Sequence, residues 1–519
     1  MALQDWKTIT NFLKIRAQEV RTSGSSGRLI QILYKCRKYF EKIQDTSYYY
    51  RALSIIFMKK NSLGLFQLVM INVIAVDSIR TLTFAAVYGY SLVFFYLLTA
   101  IFFFIPTALV SAELGTGWPN RGGIYVWVRE AFGKKWSLII IWLNWIYNII
   151  WYPTILALIA GTFTYFFNPE LASNRLYMCC SVLVLFWIST LINCLGMRAS
   201  SLFSTVAALI GTILPMFLIA GLGVAWIVQD QPTQIQFTWQ TFFPSGTQTN
   251  NLAFLTNVLF GLLGLEMAAT HAAEMRNPQK DYPRSIFISV IIILATIVLA
   301  SLAIALVVPR DNLSLATGIM QAFTVFADTY NLPWLSPLIA ACIILGGLGG
   351  VGAWIIGPTK GLHVASQDGS LPAFLAHTNQ KGVPVRILMV QAAIVSALSL
   401  IFILMPSINS SYWVLSVITA QLALLVYIAL FAAALKLHYN KPKIPRSFRV
   451  PGKKFGIWLV CTMGIFSSFI VIFFGFWPPS TIPFKSLFVY EIILVGGIAI
   501  CCILPLFLIK KLRLKRPPR

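Results

Sequence analysis

Long apolar runs broken by short polar or Gly/Pro segments dominate the pattern along the chain. Runs of 64–88, 91–112, 136–166, 175–196, 200–228 and 252–274 are followed by runs of 284–308, 334–362, 384–405, 411–437, 455–476 and 486–509. Each reaches the roughly 20 residues that a helix needs to cross a bilayer, so the pattern predicts an all-α integral membrane protein with 12 transmembrane helices. Composition agrees: of 519 residues 58% are hydrophobic and only 11% charged. A water-soluble domain carries about 25% charged residues, so this chain cannot cover a water-facing surface.

The net charge of +24 points to nucleic acid only if the basic residues gather on one surface. Here they follow the topology. With an even number of spans and a cytoplasmic N-terminus, the outer loops hold Arg175, Arg310 and Lys485, whereas the inner loops and C-terminal tail hold 24 Lys and Arg. That asymmetry is the positive-inside signature, and it predicts a plasma (inner) membrane protein with both termini cytoplasmic. Nucleic acid is excluded as a partner; the bilayer is the expected one, with anionic inner-leaflet lipid attracted to the basic loops. The domain reading is a basic N-terminal segment over 1–60, a membrane-spanning domain over 61–510 and a basic tail over 511–519.

Residues 1–57 contain charges every few positions and lack the apolar core of a secretion signal, so the first span itself directs insertion. Leu29, Ile32, Leu33, Cys36, Phe40 and Ile43 recur at helical spacing and fit a helix lying on the membrane surface. Met58-Lys-Lys-Asn also reads as a natural start, which would make the upstream stretch dispensable. Seven of the eight cysteines fall within spans without a disulfide or metal-site spacing and read as packing residues.

A charge at the bilayer centre costs roughly 2.5–3.5 kcal/mol, so charged residues inside spans mark function. Asp77 and Arg80 lie near the middle of the first span, in Ile74-Ala-Val76-Asp-Ser78-Ile-Arg80, and Glu266 lies deep in the sixth, in Phe260-Gly-Leu-Leu-Gly-Leu-Glu266. On a continuous helix Asp77 and Arg80 share a face and neutralise each other; on an unwound segment both face a polar cavity. Gly261 and Gly264 lower helical stability by about 1 kcal/mol each, or serve close packing. Interrupted spans in corresponding positions of two halves are the mark of a transporter with its site at midplane. In the third span Trp145 and Asn148 share one helical face, which either packs or lines that cavity.

Other motifs carry less. Gly347-Leu-Gly-Gly-Val-Gly352 matches a dinucleotide fingerprint only in letters, because it sits inside an apolar span where Gly346 and Gly350 form a small-residue packing face. His271 and Glu274 form a lone H-x-x-E at a helix end. No nucleophile motif, metal cluster or cofactor motif stands out, so the chain does not read as an enzyme, and neither catalytic nor metal-binding residues are expected.

Three passages together resemble the amino acid-polyamine-organocation (APC) transporter superfamily. They are the sixth span running into Glu274-Met-Arg-Asn-Pro-Gln-Lys-Asp-Tyr-Pro-Arg-Ser285, the segment Gly357-Pro-Thr-Lys-Gly-Leu-His-Val-Ala-Ser-Gln-Asp-Gly-Ser-Leu-Pro372, and Ala112-Glu-Leu with Trp118-Pro-Asn-Arg-Gly-Gly-Ile-Tyr-Val-Trp-Val128. Within it, Gly357-Pro-Thr-Lys-Gly-Leu362, Lys381-Gly-Val-Pro-Val385 and Ser447-Phe-Arg-Val-Pro-Gly452 look most like the glutamate/GABA antiporter branch. The resemblance covers roughly residues 60–510. It implies a LeuT-like fold of two inverted five-helix repeats with discontinuous helices 1 and 6, and amino-acid exchange by alternating access. Val76 to Arg80 and Phe260 to Glu266 match the unwound segments. The chain departs from that branch in having only about ten residues after the last span, where a plug is expected, and in Gln367 at a frequently basic position.

The expected function is therefore an amino-acid antiporter, with an acidic amino acid and GABA the best substrate pair. Proton-coupled symport through Asp77 or Glu266 is the alternative, and an amino-acid sensor a remote one. Substrate-binding candidates are Val76, Asp77, Ser78, Arg80, Trp145, Asn148, Phe260, Gly261, Gly264 and Glu266. The expected partners are small amino acids, with protons as a candidate coupling ion; the oligomeric state is left open.

Overall fold

In a computed structural model the described residues are 64–118, 123–194, 207, 209–244, 252–266, 278–367, 371–380, 382–484 and 486–514. Apart from Gly64, they belong to one of the chain's two units, Leu65–Ala273 with Asn277–Arg519. The N-terminal segment 1–60, His271 and Glu274, and part of the tail 511–519 lie outside the described residues.

The described chain is helical and contains no strand. Ten helices are long and apolar enough to cross a membrane, and a bent pair makes an eleventh span. The pair is α1 (Leu65–Val76) and α2 (Ile79–Ala86). It is followed by α3 (Gly89–Gly117), the short α4 (Ile124–Phe132), and α5 (Lys134–Phe163). Next come α6 (Arg175–Cys194) and α7 (Leu209–Val228). The predicted sixth span is represented by α8 (Leu255–Phe260), which breaks off before Glu266, and residues 267–277 are not described. The second half holds α9 (Pro278–Val307), the shorter α10 (Gly318–Thr329) and α11 (Leu335–Gln367). It ends with α12 (Val385–Leu404), α13 (Ile408–Asn440), α14 (Lys453–Phe474) and α15 (Leu487–Leu514). Eleven of the twelve predicted spans are thus present as such.

Helix α13 is the core of the bundle, with 83% of its apolar window enclosed, against 11% for α15. It packs along α5, which also carries α11, while α9 packs against both α1 and α2. Large apolar side chains left outside, such as Phe66, Ile101, Phe217, Leu404 and Phe488, are those a lipid-facing surface requires.

Two helices carry a wide π turn, Ala100–Phe104 in α3 and Leu209–Ile213 in α7. Each is followed by a proline two residues on, Pro106 and Pro215. Proline supplies no N–H to the preceding turn, and the wider turn accommodates the loss. The second π turn is also where α7 crosses α11. A methyl on Gly211 would stand 2.3 Å from the Gly346 Cα, so the two backbones touch. Gly346 therefore packs as expected. For Gly350, no described atom lies within 4 Å of a methyl placed there.

A buried ionic cluster fastens the C-terminal end of α3 to that of α13. Glu113 takes Arg446 on Oε1, with His438 Nδ1 2.8 Å from the same oxygen. The Val450 N–H donates to Oε2 at 2.8 Å. Arg446 also donates from Nη2 to the carbonyls of Leu437 (3.0 Å) and Lys441 (2.9 Å), closing the end of α13, and lies 5.0 Å over the Trp118 ring. Glu113 and Arg446 are each only 2% exposed. A charge in such a place is tolerated because every carboxylate oxygen is occupied.

Candidate functional site

The candidate site is built where α1 gives way to α2 and where α8 ends. Between α1 and α2 the axis turns by 55° at Asp77 and Ser78. Asp77 N–H still closes the last turn of α1 on the Val73 carbonyl (2.8 Å), but Ser78 is extended, at φ −138° and ψ 116°. Aspartate and serine compete with helical hydrogen bonding through their own short side chains, which is why the chain breaks at this pair. The Ser78 carbonyl instead receives the Thr81 hydroxyl at 2.9 Å. The Thr81 N–H donates to the Ser78 carbonyl at 3.2 Å, and the break otherwise sets the N–H end of α2 beside the carbonyl end of α1, an arrangement that presents donors and acceptors at one place.

The second interruption begins at Gly261. Leu262 and Leu263 form a turn onto the Leu259 and Phe260 carbonyls, and Gly264 has φ +123°, a conformation that L side chains rarely adopt. The two interruptions touch. A methyl on Gly264 would come within 2.9 Å of the Ala75 carbonyl oxygen, and one on Gly261 within 2.8 Å of Thr81 Oγ1. The glycines are needed for this approach, so they do both things the sequence offered: they break the helix and let backbones meet.

Around this joint the ionisable groups separate. Asp77 faces α9, with Thr296 Oγ1 3.1 Å from Oδ2. Arg80, one turn on, faces α13: Nη1 donates to Ser416 Oγ at 3.1 Å, and the guanidinium lies 5.0 Å over the Phe260 ring. Asp77 and Arg80 are therefore not paired, because the break turns them toward different helices. Among the described residues no acidic side chain lies within ion-pair distance of Arg80, which is 1% exposed. Glu266 accepts a hydrogen bond from the Tyr427 hydroxyl, and that same hydroxyl receives the Gly264 N–H at 2.8 Å.

Val76, Asp77, Ser78, Arg80, Phe260, Gly261, Gly264 and Glu266 are thus brought together. Trp145 and Asn148 are turned elsewhere. The Trp145 indole donates to Gln391 Oε1 on α12 at 3.1 Å, and the Asn148 amide donates back to the Asn144 carbonyl at 2.6 Å. Trp145 thus packs against α12, while the Asn148 amide bonds to its own helix. The sequence reading did not single out Thr296, Ser416, Tyr412 or Tyr427. Each is a polar side chain in a strongly apolar run, a signal visible in the sequence but shared with many packing residues.

Tyr427→Phe removes a phenol that serves both Glu266 and the Gly264 N–H. We expect a loss of about 1–3 kcal/mol, since both groups stay buried without that partner. Thermal unfolding of the purified variant in detergent checks it, and an unchanged midpoint would show that the bridge contributes nothing.

A broken span packed against a second helix end, with buried charges at the joint, fits a membrane transporter. A sequence model described as amino acid permease matches residues 63–498. The chain belongs to the amino acid permease family. The permease is 51% identical over 452 residues to an uncharacterized transporter of Legionella pneumophila, covering 87% of this chain and 97% of that protein. It is 30% identical over 431 residues to a glutamate/gamma-aminobutyrate antiporter of Lactococcus lactis, covering 82% and 85% of the two chains. It is also 27% identical over 394 residues to a probable agmatine/putrescine antiporter of Lactococcus lactis, with 76% and 83% covered. The permease is an integral membrane protein of a family that carries small molecules such as amino acids.

Proposed function

We propose that this permease is an amino-acid antiporter of the plasma membrane that exchanges an acidic amino acid for its decarboxylated counterpart, glutamate for GABA being the best-matched pair. The observation that carries this reading is Arg80. A permanently charged guanidinium held away from water costs several kcal/mol unless an anion meets it, and no described side chain supplies one. A carboxylate on the substrate does. The relative named as a glutamate/gamma-aminobutyrate antiporter supports the same substrate class.

In this reading the substrate lies at the joint of the two interruptions. The free N–H groups and positive end of α2 take the α-carboxylate, the unwound carbonyls take the ammonium, and Arg80 takes the second carboxylate. Glu266, bridged through Tyr427 to the unwound turn, reports occupancy to α13. The proposed architecture is twelve spans in two inverted five-helix repeats, with both termini cytoplasmic. Breaks in the first and sixth spans, five apart, support it.

Radiolabelled glutamate uptake into proteoliposomes preloaded with glutamate, GABA, a neutral amino acid or buffer tests the proposal. Uptake is expected only into amino-acid-loaded vesicles, with glutamate and GABA the best internal substrates; no uptake with any of them overturns the substrate class. Proton-coupled symport is the second reading. Asp77 favours it, as a buried acid facing the Thr296 hydroxyl rather than a cation. Uptake into empty vesicles that follows an imposed proton gradient would select it.

A further inference from the structure

Arg80 is held by one corner. Nη1 is committed to Ser416 Oγ and the flat face to the Phe260 ring, whereas Nε and Nη2 are buried and make no hydrogen bond with any described residue. Nε–H and the adjacent Nη2–H run parallel along one edge of the guanidinium, which is the edge that grips a carboxylate with two hydrogen bonds. Beside that group stands Tyr412, one turn before Ser416 on α13. Its side chain is fully buried, its ring stacks on Phe84 at 5.8 Å, and its hydroxyl faces the guanidinium with no other hydrogen-bond partner among the described residues. Two guanidinium N–H groups and a phenol in one enclosed place, with no acidic side chain among the described residues to meet them, describe a receptor for a carboxylate.

We infer that α13 sets the acidic-substrate selectivity of this permease through Tyr412 and Ser416. Ser416 is a positioning residue: by anchoring Nη1 it fixes the guanidinium so that the Nε/Nη2 edge is presented. Tyr412 donates a third hydrogen bond to the same carboxylate. The inference rests on the reading that Arg80 receives the second carboxylate of the substrate, and it adds that orientation, not charge alone, makes the distinction. A lysine at position 80 would keep the charge but could not reproduce two parallel N–H bonds.

The test compares glutamate with glutamine, which has the same shape but an uncharged side-chain terminus. The quantity read is the concentration of each, unlabelled, that halves labelled glutamate exchange in preloaded proteoliposomes. For S416A and for Y412F we expect the glutamate value to rise about tenfold while the glutamine value stays the same. S416T, which keeps the hydroxyl, should restore the parent value. R80K should lose the glutamate preference as S416A does, or more strongly. A purely structural role for Ser416 and Tyr412 would instead weaken both ligands equally, and that result, or parental selectivity in both variants, overturns the inference. The two levels separate through R80M, read as competition by each ligand against labelled glutamine exchange, because its labelled glutamate exchange is expected to be lost. If R80M loses the preference while S416A and Y412F keep it, Arg80 reads the carboxylate without help from α13; if R80M itself keeps the preference, the reading of Arg80 fails and the inference falls with it.

Discussion

Replacing Arg80 with methionine is expected to abolish exchange of acidic amino acids, lowering kcat/KM by at least about 100-fold, without lowering the stability of the substrate-free protein. The second half of this expectation distinguishes a binding arginine from a structural one. Where an arginine serves the fold, its removal strands a buried acid and costs several kcal/mol. No described acid depends on Arg80, and its polar contacts are one serine hydroxyl and the neighbouring Tyr412. Methionine fills a similar volume and needs no counter-charge, so the midpoint of thermal unfolding should hold or rise while transport disappears. A fall in that midpoint together with retained glutamate exchange would make Arg80 a structural residue and remove the main support for an acidic substrate.

Glu113 makes the opposite case. Glu113→Ala leaves Arg446 charged and 2% exposed with its carboxylate gone, and also frees the Val450 N–H. We expect a loss of about 3–5 kcal/mol, read as a lower unfolding midpoint in detergent. Pairing it with Arg446→Met should recover a large part of that loss, since the stranded charge disappears with its partner. Additive losses in the double variant would mean that the two side chains act separately. The contrast with Arg80 is one of accounting for charge. Both arginines are buried, one with its acid built into the fold and one without.

These differences show where sequence reading reaches and where it stops. Hydropathy located eleven spans because lipid imposes a length and an apolar composition on each segment independently of its neighbours. The charges of the first span left both a continuous helix with Asp77 and Arg80 paired and an unwound segment open, and glycines before a buried acid pointed to a break in the sixth. Pairing was not legible. Spacing placed Asp77 and Arg80 on one helical face, but the break at Ser78 turned one toward α9 and the other toward α13. Spacing also placed Trp145 and Asn148 on one face correctly, yet nothing in it says which helix that face meets, and it meets Gln391 of α12. Thr296, Ser416 and Tyr427 escaped for the same reason: each acts on a residue more than 150 positions away.

The contact between Gly264 and the Ala75 carbonyl has a mechanical consequence. Close-packed matter compresses little, so a tilt of α1 about Asp77 pushes directly on the turn that carries Gly264, and through its N–H on Tyr427 and α13. The two interruptions are geared. In an exchanger, slippage arises when one gate yields while the other stands still, letting cargo or ions run down their gradients unmatched. In the proposed exchanger neither half yields alone, and the tightness of its exchange is written into the absence of a single methyl group.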